Sequence, residues 1–227
     1  VTALQPTNDT SVLGVANRTP TGHVVQIVPP GNESDAPSVI ETIAFENPSD
    51  RPFVGTVTIG TPADASAYAA MVDGSGAEYR QTEAGVELNV SVPANGSTQV
   101  GAAYDLTGTQ FRKEIRRDTT SLAVVLQGYD PSRVSHSANL RVGSAPIPLL
   151  TTNESLDAGA TISADVAGAR RTTAESTAGT NSETGAVETS SSGSGSIPAF
   201  PGVPILAGIF GTVFVGLGAY RLTRLEA

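Results

Sequence analysis

The feature that most constrains this chain is an uncharged, apolar stretch near its C-terminal end. No charged residue occurs in residues 189–220, and residues 203–220 read VPILAGIFGTVFVGLGAY. A helix over residues 204–222 extends about 28 Å at about 1.5 Å per residue, which matches a hydrocarbon core of about 30 Å. Arg221 and Arg224 follow at once as a short positive stop. We therefore predict a single transmembrane helix over residues 197–222, in contact with membrane lipid.

One face of this predicted helix carries small residues. Gly208, Thr212 and Gly216 are spaced four residues apart, so they lie on the same side of a helix. Small faces allow helices to approach closely in lipid, although glycine is also simply common in membrane spans. These three residues are a candidate helix-packing face.

A low-complexity tract precedes the span. Residues 172–196 comprise 25 residues, of which 13 are Ser or Thr and only one, Val187, is a large apolar residue. Such a segment buries too little apolar area to offset the entropy of ordering it. We predict a disordered stalk over residues 172–196, joined by a connecting segment, residues 151–171, to an N-terminal domain. Residues 223–227 then form a short tail after the span.

The N-terminal region, residues 1–150, is patterned for β-strands. Apolar and polar residues alternate without a break over residues 86–92, so Val86, Leu88, Val90 and Val92 share one face. Turn signals such as residues 93–96, Pro-Ala-Asn-Gly, separate further short apolar runs. The other predicted strands are residues 11–16, 23–28, 39–46, 53–59, 97–106, 121–127 and 138–142, and residues 63–71 fit either a helix or a strand. Short, evenly spaced strands predict an all-β domain, a β-sandwich of about 150 residues.

Composition excludes several classes of function. The chain has no Cys, which excludes disulfide scaffolds, Cys-based zinc sites, iron–sulfur clusters and thiol catalysis. Its net charge of −9 argues against nucleic acid as a partner. Of the 13 basic residues only Lys113 is a lysine. This acidic, Lys-poor usage suggests a protein of extreme halophiles, although a GC-rich genome also favours Arg over Lys.

Six N-x-[ST] sequons occur among only nine asparagines, which is an excess over chance. Such an excess suggests an exported, glycosylated chain, although Ser/Thr-rich loops also form sequons readily. The candidate glycosylation sites are Asn8, Asn17, Asn32, Asn89, Asn95 and Asn153.

A basic cluster and a few scattered titratable residues complete the candidate set. Arg112, Lys113, Arg116 and Arg117 fall within six positions and form a possible partner patch, or simply a solvated connection between strands. His23 and His136 have no ligand pattern near them, and we interpret both as surface or strand-face residues. Asp64, Asp73 and Glu78 fit no known calcium loop, so we interpret them as solvated charges.

No nucleotide-binding glycine loop and no G-x-S-x-G nucleophile elbow is present. We predict no enzyme activity, no metal and no cofactor.

Parts of the chain resemble two known families. Residues 42–59, TIAFENPSDRPFVGTVTI, and residues 90–104, VSVPANGSTQVGAAY, resemble the immunoglobulin-like adhesion and spacer domains of prokaryotic surface proteins. The tail, a Ser/Thr-rich stalk followed by Pro201-Gly202, an apolar helix and Arg, is similar to the C-terminal sorting signal of haloarchaeal surface glycoproteins. In that family the signal reads Pro-Gly-Phe and the helix is removed, whereas Val203 stands here in place of Phe. The resemblance therefore implies an immunoglobulin-like ectodomain carried on a membrane anchor.

Two orientations are compatible with the span. Residues 1–11 are not an apolar run, so either an export signal precedes or has been removed before Val1, or the domain is cytoplasmic and anchored by its tail. The positive-inside rule and the sequons favour an ectodomain outside and a cytoplasmic C-terminus. The expected role is structural or interactive at the cell envelope: adhesion, spacing, or an accessory subunit that contacts other envelope proteins. The alternative is a ligand-binding receptor or a transporter accessory subunit.

Overall fold

The computed structural model describes residues 4–18, 21–31 and 36–171. The predicted stalk, the predicted membrane helix with Gly208, Thr212 and Gly216, and the sequon at Asn32 lie outside the described residues. In the part of the chain that is described, no helix is long and apolar enough to span a membrane.

The described residues form an almost entirely β structure with no α-helix. Two short 3-10 turns cover Thr10–Val12 and Pro131–Arg133. The strands, in chain order, are Gly14–Val15 (β1), His23–Val28 (β2), Ser38–Asn47 (β3), Phe53–Ile59 (β4), Ser66–Val72 (β5), Ser75–Gly76 (β6), Tyr79–Thr82 (β7), Gly85–Val92 (β8), Gly96–Asp105 (β9), Gln110–Glu114 (β10), Leu122–Leu126 (β11), Ser135–His136 (β12), Leu140–Val142 (β13), Leu149–Thr152 (β14) and Thr161–Asp165 (β15). The predicted all-β class is confirmed at this level.

The strands assemble into three sheets. The large sheet has the order β13-β14-β11-β2-β3-β9-β5-β6, with β1 paired to β3 off this path. The two small sheets have the orders β10-β15-β12 and β4-β8-β7. Within the large sheet β11 and β2 run parallel, whereas β3 pairs antiparallel with both of its main neighbours, β2 and β9.

One apolar core serves all three sheets. It includes Val25 and Phe45 from the large sheet, Leu88 from β8, and Phe111 and Ile162 from β10 and β15. Most of these strands alternate between core and surface, as β8 does with Val86, Leu88, Val90 and Val92 buried. An alternating strand of this kind contributes every second side chain to the same interior.

The folded unit extends beyond the predicted boundary at residue 150. Contacts group residues up to Arg171 into one compact unit, and β15 pairs along its whole length with β10, from Gln110↔Asp165 to Glu114↔Thr161. The segment predicted as a connector, residues 151–171, therefore contains a core strand. Ile162 and Ala164 of this strand are fully buried, and its side chains alternate between core and surface.

Candidate functional site

Four polar side chains meet inside the apolar core. They are His23 on β2, Glu41 on β3, Tyr104 on β9 and Lys113 on β10. Their exposed fractions are 3%, 0%, 0% and 4% respectively. Charged side chains are almost never buried to this degree unless they are paired. We call these four residues the Glu41 cluster.

Glu41 is the centre of the cluster. Its Oε1 lies 2.7 Å from His23 Nε2 and also accepts from Lys113 Nζ. Its Oε2 accepts a hydrogen bond of 3.0 Å from the Tyr104 hydroxyl. Both carboxylate oxygens are therefore bonded, which is the condition under which a buried charge is tolerated.

Strand register explains why three of these residues meet on the large sheet. Glu41 stands opposite Val25 on β2 and opposite Ala102 on β9. His23 and Tyr104 are each two residues from those partners, so they are diagonal neighbours of Glu41 on the same face. Lys113 reaches the same point from β10, which belongs to a different sheet. The ion pair thus joins two sheets through residues 72 positions apart in the sequence.

The cluster shifts the pKa values of its members in directions that follow from its geometry. Burial acts to raise the pKa of Glu41, but the charge of Lys113 and the hydrogen bond from His23 outweigh it and lower the pKa to about 2. Burial lowers the pKa of His23, and the neighbouring Glu41 offsets only part of that effect. Burial, with the charge of Glu41, raises the pKa of Tyr104 well above its ordinary value. At neutral pH the cluster therefore holds an ionised Glu41 and a neutral His23.

A small pocket adjoins the cluster where the three sheets meet. His23 and Lys113 line it together with Thr58 of β4 and the side chains of Arg116 and Arg117. Its volume is about 20 Å³. His23 Nδ1 is buried and has no hydrogen-bond partner among the described residues. Glu41 and Tyr104 have no exposed surface, so only the His23 and Lys113 edge of the cluster is next to the pocket.

The structure divides the residues of the predicted basic patch between the surface and the interior. Residues alternate along β10, so Arg112 is exposed while Lys113 faces the core. Arg116 is exposed, and Arg117 is half-buried with its guanidinium 5.5 Å from the centre of the Phe45 ring. Consecutive strand residues point to opposite faces, so a run of basic letters on a strand divides between core and solvent.

The candidate glycosylation residues lie on several separate elements. Asn8, Asn17, Asn89, Asn95 and Asn153 are all exposed. Asn89 lies on the outer face of β8, and Asn95 has a positive φ of 51° in the turn between β8 and β9. The structure does not bring these residues together into one site.

The remaining sequence candidates lie apart from the cluster. His136 is exposed, as are Asp64, Asp73 and Glu78. Asp73 accepts a 2.8 Å hydrogen bond from the backbone N–H of Gln99, so it stabilises a turn. Among the described residues, no group of three or more His, Cys, Asp or Glu side chains is arranged to hold a metal ion.

Comparison with known proteins gives only a distant likeness. No family model and no curated protein matches the chain. A substrate-bound mutant of an M1 zinc metallopeptidase from Deinococcus radiodurans is 12% identical, with a TM-score of 0.41 over 67% of this chain and 42% of that chain. Leukotriene A4 hydrolase from Saccharomyces cerevisiae is 10% identical, with a TM-score of 0.42 over 69% of this chain and 29% of that chain. This chain therefore spans less than half the length of these solved structures.

Sequence reasoning missed the Glu41 cluster, although the chain carries a signal for it. Val39, Glu41, Ile43 and Phe45 alternate along β3, and all four are buried. Glu41 is thus an acidic residue at a position of the strand where the alternation calls for an apolar side chain. Lys113 stands in the same way between Phe111 and Ile115, which are both buried. Two opposite charges at core positions of different strands predict a buried pair, because neither charge is tolerated alone.

We predict that the two charges of the pair depend on each other. Lys113→Met leaves the Glu41 carboxylate buried without its cation, and should lower the free energy of unfolding by about 3–5 kcal/mol. Adding Glu41→Leu removes the stranded charge, so the double variant should be more stable than Lys113→Met alone. Chemical denaturation of the parent chain, Lys113→Met, Glu41→Leu and the double variant measures the coupling energy between the two residues. The exposed Arg112→Met is the matched control and should change stability by less than about 0.5 kcal/mol. Additive effects at Glu41 and Lys113 would contradict the pairing.

The pKa shifts predict that stability falls on acidification. Both His23 and Glu41 have lowered pKa values, so the unfolded chain binds more protons than the folded chain at acidic pH. The His23 contribution is complete above its ordinary value of 6.5, and that of Glu41 above 4.5. The free energy of unfolding should thus decline from about pH 6.5 and continue to decline from pH 4.5 towards 2. In Glu41→Gln the second decline should flatten; a profile identical to that of the parent chain would refute this assignment.

Proposed function

We propose that this chain is a membrane-anchored extracellular glycoprotein with a structural or interaction role at the cell envelope. In this proposal an immunoglobulin-like β-sandwich stands on the Ser/Thr-rich stalk above one transmembrane helix, with the ectodomain outside and the C-terminus in the cytoplasm. Its partners are other envelope proteins, and the composition and tail suggest a haloarchaeal source. The chain would act in adhesion, as a spacer, or as an accessory subunit of a surface complex.

The exposure of the sequon asparagines is the observation that carries the proposal. Every sequon asparagine in the described residues is exposed, on elements distributed over the fold. The side-chain amide nitrogens of Asn89 and Asn95 make no hydrogen bond within the described residues, so both are free to receive a glycan. The Asn153 amide nitrogen donates a 2.8 Å hydrogen bond to the Ala138 carbonyl, and it retains one N–H for that bond after glycosylation. Glycans at these positions would project into solvent without disturbing the core.

The competing proposal is a ligand-binding receptor or a transporter accessory subunit. Small-molecule sites are usually clefts of about 300–1,000 Å³. The pocket beside the Glu41 cluster has a volume of only about 20 Å³, which is too small for a metabolite. This pocket therefore gives no support to the receptor role.

Protease treatment of intact cells, followed by mass spectrometry of the released peptides, tests the proposal. We expect peptides that contain Asn89 and Asn95 to appear outside the cell, with a fraction carrying added sugar mass. The matched control is Asn139, which is not in a sequon and should never carry sugar. Asn89→Gln and Asn95→Gln should each remove one glycan mass from the intact chain without unfolding it, because both side chains are exposed.

The opposite outcome is equally clear. If the folded unit is cleaved only after the membrane is broken, the domain faces the cytoplasm and the sequons are coincidental. Released peptides without sugar would support the surface location but contradict the glycoprotein assignment.

A further inference from the structure

The wall of the small pocket is positively charged and contains no acid. Its basic side chains are Lys113, Arg116 and Arg117, and neither Asp nor Glu lines it. This is unexpected on a chain whose net charge is −9. Lys113 is neutralised from behind by Glu41. Arg116 is exposed and lies 3.9 Å from Glu114.

Arg117 is the basic side chain whose charge is not matched. Within the described residues no carboxylate lies within 4.0 Å of it. Partial burial lowers its pKa, so the guanidinium has lost part of its hydration without gaining a counter-charge. Such a desolvated cation favours the nearby binding of an anion.

Hydrogen bonds hold the Arg117 guanidinium in place. Its Nη1 donates to the carbonyl oxygens of Thr10 at 2.8 Å and Leu13 at 3.1 Å. The ring of Phe45 packs against its face. The Nη2 and Nε groups have no hydrogen-bond partner in the described part of the chain. They are therefore available as donors on a side chain that is already positioned.

The Thr58 hydroxyl and the Nδ1 atom of His23 are two further polar groups of residues that line the pocket. Thr58 makes no side-chain hydrogen bond within the described residues, so its hydroxyl is free to donate. His23 Nδ1 is buried and also without a partner. Because His23 Nε2 is bonded to Glu41, Nδ1 carries a lone pair when the ring is neutral and becomes a donor when the ring is protonated.

The size of the pocket limits what can enter. A volume of about 20 Å³ accommodates one water molecule or one small ion. Phosphate, sulfate and organic carboxylates are too large to enter fully. We propose that this pocket binds a single small monovalent anion, of the size of chloride, between the Arg117 guanidinium and the His23 imidazole.

Binding of this anion is coupled to the protonation of His23. The charged and titratable groups around the imidazole are Glu41 from β3 and Lys113 from β10, with Arg117 and Arg116 across the pocket and the Tyr104 hydroxyl bonded to Glu41. A bound anion offsets the positive charge of the two arginines. It therefore favours the protonated form of the His23 ring. By linkage, the anion raises the pKa of His23, and protonation of His23 strengthens anion binding by the same factor. The site does not depend on the proposed envelope role.

The two histidines of the chain allow a direct test. The full chain, labelled with ¹⁵N-histidine and held in detergent, is titrated with chloride in exchange for gluconate at constant ionic strength. We expect the imidazole signals of His23 to move saturably with chloride and its titration midpoint to shift to higher pH. The exposed His136 is an internal reference and should not respond in this way.

Matched arginine variants identify the ligand. Arg117→Gln should raise the chloride concentration at half-saturation at least tenfold. Arg112→Gln removes the same charge from an exposed position outside the pocket and should leave the titration unchanged. Arg117→Lys retains the charge, so it should retain part of the response if Arg117→Gln fails to fold.

Crystals grown in bromide provide the independent measurement. An anomalous peak beside Arg117 and His23 would support the proposal. An ordinary water in the pocket, or a His23 signal that responds to chloride no more than that of His136, would overturn it. Equal weakening by Arg112→Gln and Arg117→Gln would also overturn it, because it would show a general effect of charge.

Discussion

A carboxylate without any exposed surface determines how the strands around it are arranged. Glu41 lies on the central strand of the large sheet, and its two oxygens require three donors from three other strands. Two donors, His23 and Tyr104, come from the flanking strands β2 and β9. The third, Lys113, comes from another sheet. The cluster therefore restricts both the register within the large sheet and the position of β10 against it.

We expect this pair to contribute more to specificity than to stability. Removing two charges from water costs about as much as their attraction returns, so an apolar replacement of both would serve equally well for stability alone. A slip of one residue along β3, however, would turn Glu41 away from Lys113 and leave two unpaired charges. The alternating apolar side chains of β3 would then also face the wrong side. The cluster and the apolar pattern thus favour the same register, which is the consistency expected of a chain with one native structure.

The sequence predicts the strands whose side chains alternate clearly, and it fails where charges or short lengths hide the alternation. Residues 23–28 and 53–59 were predicted with the bounds that the structure gives. The sequence of β10 is compatible with a basic patch or a solvated connection because Arg, Lys and Glu dominate it, although Phe111 and Lys113 are buried. The two-residue strands β6 and β12 carry no periodic signal at all. β15 gives a weak signal, because only two of its five side chains, Ile162 and Ala164, are buried.

The candidate site was less predictable than the fold, because it depends on contacts between distant segments. The exposed sequon asparagines could be read from short local motifs. The burial of Glu41 and Lys113 is visible in sequence only as two charges at apolar phases, 72 residues apart. The meeting of His23 and Lys113 with Arg117 at one pocket requires the packing of three sheets, which the local sequence pattern does not specify. The exposed sequon asparagines and the positively charged pocket are therefore separate features of the fold.

The single lysine allows a direct test of whether Lys113 is an ammonium group buried against Glu41. In a chain labelled with ¹⁵N-lysine, the side-chain ammonium group gives one signal, so no assignment is needed. We expect that signal to be visible at neutral pH, protected from exchange with water, and to shift in Glu41→Gln. An ammonium signal that is lost by rapid exchange, as for a lysine in solvent, would contradict the account.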